Sequence, residues 1–203
     1  MGVITEISFQ KNKKRVNIFV DGEFISGMNY DFVIINKLKV GQEIDSSKLR
    51  EIIRESETAS AFDQAVSLIS LSAKTKKEIL DKLIAKGFGE SSAQEAVQKL
   101  EDYGYINDLE YARLFVKSYE NKSKREIKNK LMQKGISADI VESVLSDEDD
   151  ALEEEKARIF AQKYMKNKEI SEKNIKNLYA GIVRRGFSFD VASKIVSEMK
   201  KGE

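Results

Sequence analysis

One dodecapeptide is written three times along this chain, as KEILDKLIAKGF at 77–88, REIKNKLMQKGI at 125–136 and KNLYAGIVRRGF at 176–187. Aligned on Gly87, Gly135 and Gly186, the copies place Ile79, Ile127 and Leu178 in one column and Leu83, Leu131 and Ile182 in a second. The two columns are four residues apart, so they lie on one face of a helix. Glycine after the last turn takes the left-handed conformation that ends a helix, and Lys86, Lys134 and Arg185 just before it suit the negative end of the helix dipole. The apolar residue that follows, Phe88, Ile136 or Phe187, is placed to fold back on that turn. The starts are coded as well: Thr75 with Glu78 and Ser123 with Glu126 have the spacing of capping boxes, and Asn174 stands as the cap of the third copy without the box.

An amphipathic run flanks each copy on both sides. AFDQAVSLIS, YARLFVKSYE and KARIFAQKYM precede, and runs containing Ala96, Val97 and Leu100, then Val141, Val144 and Leu145, then Val191, Ile195, Val196 and Met199 follow. Glycine spacings of 48 and 51 residues therefore predict three tandem tri-helical units over 58–104, 107–146 and 152–200. One such unit cannot bury its own apolar face, so the units stack, and the expected fold is mainly α, an elongated curved array.

The first thirty residues follow a different period. Ile4, Ile7 and Phe9, then Val16, Ile18 and Val20, alternate with polar residues, and Asp21-Gly22 precedes Phe24 and Ile25. This predicts a three-stranded antiparallel meander over 3–9, 14–20 and 23–28 with a type I′ turn at Asp21-Gly22. A short helix ending near Leu38, a turn at Gly41 and a further helix capped by Asp45 or Ser47 complete an α+β segment. The expected domains are 1–57, repeat 1 at 58–106, repeat 2 at 107–146, and an acidic link with repeat 3 at 147–203.

Composition narrows the chemistry. The chain has no histidine, cysteine or tryptophan, which removes the usual neutral-pH base, the thiolate nucleophile and the commonest zinc ligands together. No cofactor or metal is expected, and DEDDALEEE at 147–155 lacks the glycine that a calcium loop needs at its bend, which makes it a flexible link leading into a helix N-terminus. MGVITEISFQ is too short and polar for a signal-peptide core, so the cytoplasm is the expected compartment and no membrane partner is expected.

Lys+Arg 35 against Asp+Glu 34 gives a net charge of +1, so any attraction to a polyanion must come from local clusters. Cations gather at equivalent places in successive units: Lys74, Lys76 and Lys77 on the first capped helix, Lys122, Lys124, Arg125 and Lys128 on the second, and Arg184 and Arg185 on the third. Core packing does not require them. A solvated helix face explains them as well as a contact surface does from pattern alone, but their recurrence points to an acidic protein groove or a nucleic-acid backbone. KNKKR at 11–15 reads as a solvated hairpin tip. Tyr103, Tyr105, Tyr111, Phe115 and Tyr119 could stack on bases, but the spacing of 111, 115 and 119 is that of a core stripe.

KEILDKLIAKGF, LEDYGYINDLEYARLFV at 100–116 and REIKNKLMQKGI together resemble the RecX family of regulatory proteins over about 58–200, and RVNIFVDGEF resembles the N-terminal extension of its longer members. The family motif around GYINDLEYA usually has two acids where this chain has Asn107-Asp108; Asn107 still offers a cap to Glu110. The resemblance implies three three-helix repeats and a non-catalytic modulator, expected to act as a monomer. Such a protein lies in the groove of the RecA filament on single-stranded DNA, inhibits its ATPase, strand-exchange and coprotease activities, and binds DNA weakly. Rival readings are a stand-alone DNA-binding repeat protein, an enzyme using Asp102 and Asp108 as acid and base, and a structural scaffold.

Overall fold

The computed structural model describes residues 1–119, 122–146 and 150–201. The chain divides into two compact units, Met1–Ile106 and Asn107–Glu203.

The first unit opens with strands β1 (Gly2–Phe9), β2 (Arg15–Val20) and β3 (Glu23–Asn29), an antiparallel meander as the alternation predicts. Asp21 and Gly22 both take positive φ, 51° and 84°, closing the β2–β3 hairpin. After helix α1 (Tyr30–Ile35), a fourth strand, β4 (Glu43–Ile44), pairs with Gly2 and Val3 and gives the order β3-β2-β1-β4. Two residues carry no alternation, so β4 is invisible in the sequence pattern; Gly41, at φ 84°, turns the chain into it. Ile4, Val16, Ile18 and Met28 pack beneath Val33, Leu38, Leu49 and Ile52.

The sequence reading separates a helix in the α+β segment from the first helix of repeat 1 at residue 57/58. In the structure both are one helix, α2 (Ser46–Ile69), capped by Asp45, whose carboxylate accepts the N–H groups of Ser47 and Lys48. The physical reason for the discrepancy is a change of phase. Leu49, Ile52 and Ser56 are buried on one side and Thr58, Ala61 and Ala65 are buried farther along. At about 100° per residue the two stripes are roughly 180° apart. Leu49 and Ile52 belong to the core under the sheet, Ala61 and Ala65 to the core of repeat 1. The Asn29 N–H donates to Ser56 Oγ at 2.9 Å, and the Arg15 guanidinium donates to the Gly27 carbonyl at 3.1 Å and to Ser60 Oγ at 3.4 Å. Arg15 thus fastens the sheet to α2 instead of belonging to a solvated hairpin tip.

Repeat 1 consists of the second half of α2 with α3 (Lys76–Ala85) and α4 (Glu90–Asp102). Repeat 2 is α5 (Asp108–Ser118), α6 (Lys124–Gln133) and α7 (Ala138–Ser146), and repeat 3 is α8 (Asp150–Met165), α9 (Glu172–Arg184) and α10 (Phe189–Lys201). All six residues of the two aligned columns are fully buried, each within the core of its own repeat. Gly87 and Gly135 end their helices at φ 91° and 82°. Phe88 N–H donates to the Leu83 carbonyl and Ile136 N–H to the Leu131 carbonyl, which is the bonding of a Schellman stop. The same arrangement at Gly104 ends α4, with Tyr105 N–H on the Leu100 carbonyl.

Thr75 and Glu78 form a complete capping box. Asn174 is not the cap of α9: Ser171 is, with its hydroxyl accepting the Asn174 N–H at 3.3 Å, so this helix starts a turn earlier than its counterparts. Of the expected acidic link, residues 147–149 lie outside the described residues, and the run from Asp150 onward is already helix α8.

Candidate functional site

The cationic positions predicted from sequence fall into two groups. Lys74, Lys76 and Lys77 belong to the first unit and have near neighbours: the Lys74 amine donates to Ser72 Oγ at 2.6 Å, Lys76 pairs with Glu101, and Lys77 pairs with Asp81. The others belong to the second unit, where the N-terminus of α6 meets the C-terminal end of α9. Lys122, Arg125, Glu126 and Asn129 from repeat 2 and Val183, Arg184, Arg185 and Gly186 from repeat 3 line one cleft of about 650 Å³.

The apposition has a local cause. Ser123 caps α6 by accepting the Glu126 N–H at 3.2 Å, and its own hydroxyl donates to the Arg185 carbonyl at 2.7 Å. A single buried serine thus starts one helix and satisfies the end of another, 62 residues later. Gly186, at φ 92°, makes this possible: a Cβ there would stand 2.7 Å from Ser123 Oγ and 3.3 Å from Arg125 Cβ. The equivalent Gly87 faces open space. Sequence alignment shows the third glycine as a helix stop, and only the packing shows that it is also a point of close approach.

Charge pairing within the cleft is uneven. Lys122, in the cleft, is bound to Glu126 at 2.8 Å; Lys124 and Lys128 do not line it, Lys128 pairing with Glu142 at 3.6 Å and the backbone N–H of Lys124 lying 3.2 Å from both carboxylate oxygens of Glu153. Arg125, Arg184 and Arg185 have no carboxylate partner among the described residues, and all three are exposed. The Arg185 guanidinium instead lies over the Phe160 ring, 4.1 Å from its centroid. Exposed ion pairs of the lysine kind contribute at most about 1 kcal/mol, so an incoming anion displaces them easily. At the three arginines it has no carboxylate among the described residues to displace. Arginine's planar fork also matches carboxylate and phosphate oxygens two at a time.

The aromatic candidates divide as their spacing suggests. Tyr111, Phe115 and Tyr119 form a column in repeat 2 with ring centroids 6.2 and 4.4 Å apart, flanked by Lys134 and Lys130, and Phe115 is buried. Tyr103 and Tyr105 are exposed and cluster with Phe62 in repeat 1.

The two carboxylates considered as acid and base have helix-end roles. Asp102 ends α4 and accepts from the Gln98 amide at 2.9 Å, and Asp108 is buried in the first turn of α5, beside the Asn107 cap that takes the Glu110 N–H at 3.1 Å. Among the described residues no cluster of acidic side chains could hold a metal ion, and no helix is long and apolar enough to cross a membrane.

This architecture matches known proteins along its whole length. Residues 2–45 match the model for the regulatory protein RecX N-terminal domain, 61–100 that for the first RecX three-helix domain, and 107–145 that for the second. The regulatory protein RecX of Clostridium botulinum strain Alaska E43 is 32% identical over 98% of this chain and 96% of its own length, and that of Bacillus pumilus is 34% identical over 100% of this chain and 80% of its own. A crystal structure of a regulatory protein RecX superposes with a TM-score of 0.71 at 25% identity, covering 98% of this chain and all of its own. RecX from Lactobacillus salivarius superposes with a TM-score of 0.65 at 28% identity over 71% of this chain and 97% of its own. The chain belongs to the RecX family of regulatory proteins.

Proposed function

We propose that this protein modulates recombination and DNA repair in the cytoplasm by binding the RecA filament on single-stranded DNA, slowing its ATPase and with it strand exchange and coprotease activity. The observation that carries the reading is the cleft between repeats 2 and 3, where three exposed arginines stand without carboxylate partners among the described residues in a member of a regulatory family. Acidic filament surface or DNA phosphate supplies the missing counter-charge. Lys74, Lys76, Lys77, Lys122, Lys124 and Lys128 add weaker contacts, each exchanging an existing neighbour for a new one. Several weak sites on one chain bind together far more tightly than singly, and a ligand that spans neighbouring protomers opposes the movements hydrolysis requires.

The test is the single-stranded-DNA-dependent ATPase of preformed RecA filaments as the protein is titrated in, with DNA binding by the protein alone measured beside it. Inhibition is expected well below one molecule per RecA protomer, and the double variant Arg125→Glu/Arg184→Glu should require on the order of 10-fold more protein while its helical circular dichroism is unchanged. Inhibition that appears only when the DNA is saturated would make this a competing DNA-binding protein, and undiminished inhibition by the variant would remove the arginines from the interface.

A further inference from the structure

Repeat 3 carries a second aromatic pair whose spacing alone reads as helix core. Phe160 and Tyr164 stand one turn apart on α8, with ring centroids 6.0 Å apart and planes tilted by 45°. Each packs partly against the repeat 3 core and is only half buried. Their other sides line a cleft of about 280 Å³ together with Lys156, Ile159, Lys163 and Arg185. Among the described residues no carboxylate lines it. Arg185 lies over Phe160, and the Lys168 ammonium lies 3.2 Å from the centroid of Tyr164. Arg185 also lines the larger cleft, so the aromatic site and the unpartnered arginines adjoin through one side chain.

We propose that Phe160 and Tyr164 form a base-stacking platform for single-stranded nucleic acid, with Arg125, Arg184 and Arg185 taking the adjacent phosphates. Core packing accounts for the inner sides of the two rings, but not for the cations gathered over them. An acidic protein surface would be satisfied by the cations alone and has no use for the aromatic wall of the cleft. A duplex keeps its base faces stacked inside, whereas a single strand offers them, and rings bordered by cations are the usual means of holding one. The proposal rests on the reading above only for the source of the strand.

Its test needs no filament. Labelled oligothymidylate and an abasic phosphodiester strand of the same length present equal phosphates but differ in their bases. The full-length protein should prefer the base-bearing strand by on the order of 10-fold, the range seen for a stacked base. Phe160→Leu and Tyr164→Leu, which keep apolar volume in the core, should bring oligothymidylate affinity down to that of the abasic strand and leave the latter unchanged. A 2-aminopurine strand bound to the unaltered protein should show quenched fluorescence, a readout that does not depend on any variant folding. Equal affinity for the two strands, no binding to either, a preference that survives both substitutions, or unquenched 2-aminopurine would each overturn the proposal. RecA ATPase assays run beside these separate the two readings, since lost filament inhibition with a preserved strand preference rejects only the former.

Discussion

Replacing Gly186 with alanine probes the junction of repeats 2 and 3 directly. At φ 92° an L-residue is strained, which costs about 1–2 kcal/mol by itself. The new Cβ would also stand 2.7 Å from Ser123 Oγ, closer than such atoms approach. If the serine turns away it surrenders its hydrogen bonds to the Arg185 carbonyl and from the Glu126 N–H. At about 1 kcal/mol for each, the total comes to roughly 3–4 kcal/mol. Gly87→Ala has a similar φ, 91°, but no neighbour within 4 Å, so only the strain remains, about 1–2 kcal/mol. Urea unfolding followed by circular dichroism measures both, each read from the transition of its own unit. The decisive comparison is a double-mutant cycle: in a Ser123→Ala background the offending oxygen is gone, and Gly186→Ala should cost about as much as Gly87→Ala. Equal costs for the two glycines in the unaltered protein, or additive costs in the cycle, would refute the close-approach argument.

Ser123→Ala should destabilise the second unit by about 2 kcal/mol, because its hydroxyl both accepts the Glu126 N–H that caps α6 and donates to the Arg185 carbonyl; a loss in urea unfolding no larger than the roughly 0.5 kcal/mol of a weak cap would count against the dual role. For the Glu95 carboxyl, burial is the largest single influence and pushes its pKa up, but the hydrogen bonds and charges of Lys99 and Arg54 outweigh it and hold the group below its ordinary value. A carboxyl depressed in the folded state stabilises above its unfolded pKa and loses that contribution as the pH falls through its folded value. The first unit should therefore weaken as the pH drops from about 4.5, and Glu95→Gln should flatten that part of the stability curve; an unchanged slope in urea midpoints taken across the range would refute it.

What the sequence discloses here is whatever is local. Asp21-Gly22, the Thr75 box and the glycine stops act within a few residues, and the columns Ile79/Ile127/Leu178 and Leu83/Leu131/Ile182 follow from helical arithmetic. Features that depend on a distant partner stay hidden. β4 exists because Gly2 and Val3 need an edge, not because Glu43 and Ile44 favour one. The cap of α9 moves to Ser171 because alignment on the glycine cannot register an extra turn at the start. All nine cationic candidates were visible as charges. Their ranking was not, because whether Lys128 finds Glu142 or Arg184 finds no carboxylate among the described residues is decided by packing across elements. Phe160 and Tyr164 lie unmarked within the amphipathic run KARIFAQKYM for the same reason, since periodicity reports the side of a ring that is buried and not what lies over its other side.

The opposed stripes of α2 make its length a discrete quantity. One residue inserted near Glu57 would advance the helix by about 1.5 Å and turn everything beyond it by about 100°. The sheet and the first repeat could not then both keep their contacts, because Leu49 and Ile52 on one side and Ala61 and Ala65 on the other are set by a fixed residue count. An ordinary linker tolerates such a change freely. Here the joint between the two modules works as a keyed shaft, and an added or missing residue in it should be rejected as firmly as a charge in either core.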